Sequence, residues 1–157
     1  MGLSVSVYKD LVLSNEDEGD FYVEQITPEW DWKIKNLVKG AWYKAGFYKE
    51  ALDYAYSSHL KFRKELLKLI GRQKLIHPYT DDIVWGLIPK DMPFEPLINF
   101  ADNEGVLDWE VCTTLYNTFV GYLPLATQSL DAYYLERYEN WLLAFELAKD
   151  NGAIVFS

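Results

Sequence analysis

An α+β domain is predicted, with a small antiparallel or mixed sheet that uses both chain ends and packs against about three main helices. Three observations point to it. Strand-like patterns open and close the chain, three longer stretches carry helical apolar spacing, and no internal repeat, linker or low-complexity run divides residues 1–157 into more than a single domain.

Taken in order, Leu3, Val5 and Val7 alternate with Ser4, Ser6 and Tyr8 as a half-buried strand does, and Leu11 to Leu13 extend it beyond a kink. The acidic run 15–20 reads as a solvated loop. Residues 21–26 return to strand character, and a hairpin with the first strand is expected. Thr27 and Pro28 form a helix-start signal, which favours a short helix through Trp30, Ile34, Leu37 and Val38 over strand alternation. Residues 40–48, aromatic with two glycines, are expected to be extended or turn-rich and to be able to line a groove.

Ser57 or Ser58 then caps a helix whose apolar face holds Phe62, Leu66, Leu69 and Ile70 and which ends near Gly71. Four prolines between 78 and 96 predict a long irregular connection, with at most a short helix near 81–85 capped by Thr80. Pro93 and Pro96 predict an extended entry into the apolar residues Leu97, Ile98 and Phe100.

A tight acidic turn (Asp102, Asn103, Glu104, Gly105) follows, and Asp108 caps the helix that starts at Trp109. Gly121 and Pro124 are expected to break that helix. Ser129 or Asp131 starts the longest one, with Tyr134, Tyr138, Trp141, Phe145 and Ala148 as an aromatic seam, Gly152 as the left-handed cap and residues 153–156 as a final strand.

Composition narrows the function classes. A net charge of -9 opposes nucleic-acid binding, which needs clustered Lys and Arg, and favours a basic protein partner. Cys112, the single cysteine, excludes an internal disulfide, and with no signal peptide or membrane-spanning apolar run a cytoplasmic protein without membrane attachment is expected. Met1, Gly2 and Ser6 match the N-myristoylation pattern without a polybasic companion. No phosphate loop, dinucleotide fingerprint, zinc signature or nucleophile motif occurs, and no cofactor is expected.

Two constellations carry what chemistry there is. His59 and Arg63 stand four apart on one helix, and read functionally they are a base and an anion clamp, with Tyr56, Ser58 and Asn103 as further ligand-binding candidates. Read structurally, His59 is a buried ring and Arg63 an ion-pairing side chain. Asp102, Glu104 and Asp108 form either a carboxylate patch able to hold a hard cation, or a turn, a solvated charge and a cap. A groove between the start of the Ser57 helix and the Asp102 turn is the expected site.

Three segments, Y-S-S-H with Arg63 (from Tyr56), F-A-D-N-E-G (from Phe100) and D-N-G-A-I-V-F (from Asp150), resemble an uncharacterised family of small bacterial proteins in which a serine often stands where this chain has Ala101. The resemblance implies a shared fold and no assigned activity. Two functions are therefore weighed. One is a non-catalytic protein-binding protein, inhibitor-like, immunity-like or accessory, with Tyr and Trp anchors and carboxylate steering. The other is a small hydrolase or ligand-binding protein using His59, Arg63 and Asp102 or Glu104.

Overall fold

The computed structural model describes residues 2–24, 28–99 and 105–157, apart from the side chains of Glu29 and Tyr54. Five strands, β1 (Gly2–Leu13), β2 (Phe21–Val23), β3 (Ala41–Ala55), β4 (Gly105–Asp108) and β5 (Ala153–Phe156), form one sheet in the order β2-β3-β1-β5-β4. Every pairing is antiparallel, and both chain ends lie side by side in it, with Val5 opposite Phe156 and Val7 opposite Ile154. The fold is α+β, with three main helices, α1 (Tyr56–Leu69), α3 (Trp109–Ser129) and α4 (Ala132–Ala148), and a single turn, α2 (Glu95–Ile98).

Alternation selects the faces. Leu3, Val5 and Val7 are fully buried in the main core with Leu107, Ile154 and Phe156 from β4 and β5. Phe62, Leu66 and Leu67 of α1, Cys112, Leu115 and Phe119 of α3, and the α4 seam of Tyr138, Trp141, Phe145 and Ala148 complete it. Tyr138 donates its hydroxyl to the Phe119 carbonyl at 2.6 Å, which satisfies the one polar atom of a buried ring. Asp10 is the kink in β1: its left-handed backbone (φ 56) breaks the alternation, so Leu11 joins a second cluster with Phe21, Tyr43, Ile34 and Leu37. The register of β1 against β3 shifts between Val5 and Ser6, leaving Ala51 as the extra residue of a bulge.

The structure departs from the sequence reading where long-range pairing or packing decides. β2 pairs with β3 and not with β1: of the two readings of residues 40–48, extended or turn-rich, the extended one holds, and the strand runs on to Ala55, long enough to pair with both. The short helix after Pro28 is a 3-10 helix, Pro28–Lys33, while Thr27 lies outside the described residues. Ala55 begins α1 with no side-chain cap, so neither Ser57 nor Ser58 has that role.

Residues 81–85 do not form a helix. Asp81 takes a left-handed conformation (φ 58) in a turn held by Lys64, and a 3-10 turn, Trp85–Leu87, follows. Pro96 sits in the first turn of α2, where a missing N–H costs nothing, so the proline read as extending the chain starts a helix.

Gly121 and Pro124 do not break α3, which runs unbroken to Ser129 and is the longest helix. After α4 the left-handed residue is Asn151 (φ 49). Gly152 is required for another reason: a Cβ there would stand 2.6 Å from the Tyr8 carbonyl oxygen and 2.7 Å from that of Ala148.

Candidate functional site

The 3-10 helix, α2 and the first turns of α3 enclose a cleft of about 650 Å³. Trp30 and Trp32 form one wall. Residues three apart eclipse in a 3-10 helix, so Lys33 lies over Trp30, its Nζ 4.2 Å from the ring centroid and 5.6 Å from that of Trp32. Lys33 is buried, and burial lowers its pKa to about 8, with the Glu95 carboxylate opposing that shift and Arg63 adding to it.

Glu95, contributed by α2, is only 6% exposed and lines the cleft. Its position is set by Phe94, which enters α2 with a left-handed backbone (φ 64) and is locked by an edge-on contact with Phe119 at 4.9 Å. Burial raises the Glu95 pKa, while an amide hydrogen bond from Asn99 and the charges of Lys33 and Lys90 oppose the rise. Asn99 donates to Oε1 at 3.1 Å. Oε2 receives no donor among the described residues.

Asp108 holds the opposite wall. Its Oδ1 accepts the backbone N–H groups of Glu110 (3.1 Å) and Val111 (3.0 Å), which is the expected cap. Its Oδ2 accepts both the backbone N–H (3.0 Å) and the side-chain amide (3.1 Å) of Asn36. Four N–H donors on a fully buried carboxylate tie the segment after the 3-10 helix to α3 and fill both oxygens, so Asp108 is a structural anchor. Beside it, Glu110 takes Lys35 at 2.8 Å and the Asn36 amide at 3.1 Å, and these partners hold its carboxyl below the usual range.

Of the residues singled out from sequence, His59 is fully buried, with its ring centroid 6.0 Å from Trp141 and 6.4 Å from Phe156. Burial, and then the Arg63 charge, lower its pKa to about 3, so at neutral pH it is an uncharged core ring. Arg63 donates Nε at 2.8 Å, and Nη2 as well, to the Ile98 carbonyl at the end of α2, and its guanidinium lies 4.5 Å from the Trp85 ring centroid. That fork is spent on a helix C-terminus, where backbone carbonyls are partly negative. Tyr56 and Ser58 are half-buried.

Asp102, Asn103 and Glu104 lie outside the described residues, although Arg63 reaches the stretch just before them. Among the described residues no group of three or more His, Cys, Asp or Glu is placed to hold a metal ion. Cys112 is fully buried with its Sγ 3.7 Å from the Leu107 carbonyl oxygen, and burial raises the thiol pKa well above its usual value. Sequence reasoning missed Trp30, Trp32, Lys33, Glu95 and Asn99. The available signal was W-D-W-K directly after a helix start, two large indoles with no strand to bury them.

A second surface lies at the far end of the β1–β3 ribbon. Val12 and Tyr48 are 65% and 56% exposed, and Leu13, Tyr22 and Phe47 are also exposed. The acidic loop 14–20 folds against this end: Ser14 N–H bonds to the Trp42 carbonyl, Asp20 N–H to that of Tyr43, and the Asp20 carboxylate accepts Ala45 N–H at 2.7 Å. Residues 2–24 carry Asp10, Glu16, Asp17, Glu18, Asp20 and Glu24 against Lys9 alone. β2 covers only residues 41–43 of β3, so from Phe47 onward the outer edge of β3 has no strand partner among the described residues.

No helix among the described residues is long and apolar enough to cross a membrane. No family model, curated protein or solved structure matches the chain.

Proposed function

We propose that the chain is a non-catalytic binding protein that docks a basic partner on the acidic, aromatic end of its sheet, in the manner of an inhibitor, immunity or accessory protein. One observation carries this reading: the strands that bear exposed Val12, Leu13, Tyr22 and Tyr48 are joined or bonded by the loop that carries the solvated Asp17 and Glu18, next to an open strand edge. Apolar anchors supply affinity, carboxylates steer a cationic partner, and the edge offers backbone groups to an added strand. Ser4 bonds to Ser157 beside β5, so by alternation Val7 and Lys9 face β3 and hold Lys49 and Phe47, which leaves Tyr48 and Glu50 to present the docking groups on the open edge. The burial of His59, the base of the alternative reading, and of Cys112 supports binding as the function.

Amide hydrogen exchange with and without a peptide that alternates lysine with valine tests the proposal. Slowed exchange at Tyr48 and Glu50, abolished by high salt and by Asp17→Asn with Glu18→Gln, is expected. Unchanged exchange at these amides, or protection that survives both treatments, overturns it.

A further inference from the structure

The cleft beneath Trp30 and Trp32 has its own ligand chemistry. Lys35 pairs with Glu110 at 2.8 Å, Asp108 is saturated by four donors, and Lys33 rests on the two indoles. Two charged side chains on the lining have no ion pair among the described residues. One is Glu95, more than nine-tenths buried, whose Oε2 is an acceptor with no donor among the described residues. The other is Lys90, exposed at the rim, whose ammonium has no hydrogen bond or ion pair among the described residues.

An oxygen open to the cleft on an otherwise buried carboxylate favours a charged N–H donor, because hydrogen bonds between ionised groups are about twice as strong as neutral ones. A rim ammonium calls for an anion. Between them lie the indole wall, Asn99, and Thr114, whose hydroxyl donates to the Glu110 carbonyl and keeps its lone pairs for accepting. At about 650 Å³ the space is larger than one amino acid needs and falls within the range of small-molecule sites.

We infer that this cleft binds a short apolar peptide with both termini free, its α-ammonium donating to Glu95, its carboxylate meeting Lys90 and its apolar side chains lying against Trp30 and Trp32. This site is separate from the strand-edge surface and stands whether or not that surface docks a partner.

Isothermal titration of the full chain with phenylalanyl-phenylalanine, its N-acetyl form and its C-terminal amide tests the assignment. Each modification is expected to weaken binding about tenfold or more, the loss of one charged hydrogen bond. The acetylation penalty disappears in Glu95→Gln and the amidation penalty in Lys90→Ala, while the other penalty persists in each. Lys90→Ala, at an exposed position, keeps the test intact if the buried Glu95→Gln variant does not fold. Three forms that bind alike, penalties that survive the matching variants, or no binding by the free dipeptide overturns the inference.

Discussion

Replacing Pro124 by Ala is expected to stabilise the protein. Pro124 lies exposed inside α3, where it has no N–H to give the Val120 carbonyl and its ring crowds that carbonyl. Val120 is 44% exposed, so water reaches the freed oxygen and the helix continues, held by the burial of Cys112, Leu115, Phe119 and Ala126 on its inner face. Proline in a helix interior costs about 3 kcal/mol relative to alanine, and relaxation around the ring already recovers part of this, so a gain of about 1–3 kcal/mol is expected. For a chain of this length that is a rise in Tm of roughly 3–10 °C. Gly121, one turn earlier, has open space where a Cβ would go, and Gly121→Ala is expected to add about 0.5–1 kcal/mol. Urea and thermal unfolding followed by circular dichroism at the helix band measure both, with an unchanged m value marking a true stability change. If either substitution leaves Tm unchanged or lowers it, α3 is not the continuous helix that this reasoning needs.

Two further predictions concern the core. Gly152→Ala places a methyl group against two backbone carbonyls that cannot swing aside, one in β1 and one at the end of α4, and a loss of about 2–3 kcal/mol is expected; an unaltered melting curve contradicts it. His59 makes stability sensitive to acid. Its pKa is about 3 in the fold against 6.5 ordinarily, so between these values the unfolded chain holds a proton that the folded chain refuses. Stability is therefore flat with respect to this group above pH 6.5 and falls as pH drops, by about 2 kcal/mol between pH 7 and pH 5. Urea unfolding at both pH values is expected to show that loss in the wild type and not in His59→Gln, whose remaining carboxylates are the same. Equal losses in both proteins refute the burial argument.

Much of the fold was legible because its cues are local. The alternation of Leu3, Val5 and Val7, the aromatic spacing of α4 and the cap at Asp108 each depend on a few neighbouring residues, and each stands as read. The errors have one physical origin, a local preference overruled at a distance. Gly121 and Pro124 disfavour helix by a few kcal/mol, and the apolar face of α3 against α4 outweighs them. Phe21 was matched to the nearest strand, yet Tyr43 stacks on it at 5.7 Å from a strand twenty residues later. Asn151 and Gly152 exchange roles because a helix stop looks the same in sequence whether glycine supplies a left-handed backbone or a close approach.

The candidate site was less legible for a deeper reason. Reading for chemistry starts from the rare reactive types, and here His59 and Cys112 are both enclosed by the core. A lone histidine on an apolar helix face is buried with the face it belongs to, whatever it might do in water. The residues left facing the cleft are common ones, Trp30, Trp32, Lys90 and Glu95, drawn from segments about sixty residues apart. Nothing in the sequence marks Glu95 among 24 acids as the one carried into the interior. Its burial follows from Phe94, whose left-handed entry and contacts with Phe119 and Tyr122 turn α2 inward. The binding chemistry of this chain thus arises from packing: an aromatic ring seated in the core decides which carboxylate meets the ligand.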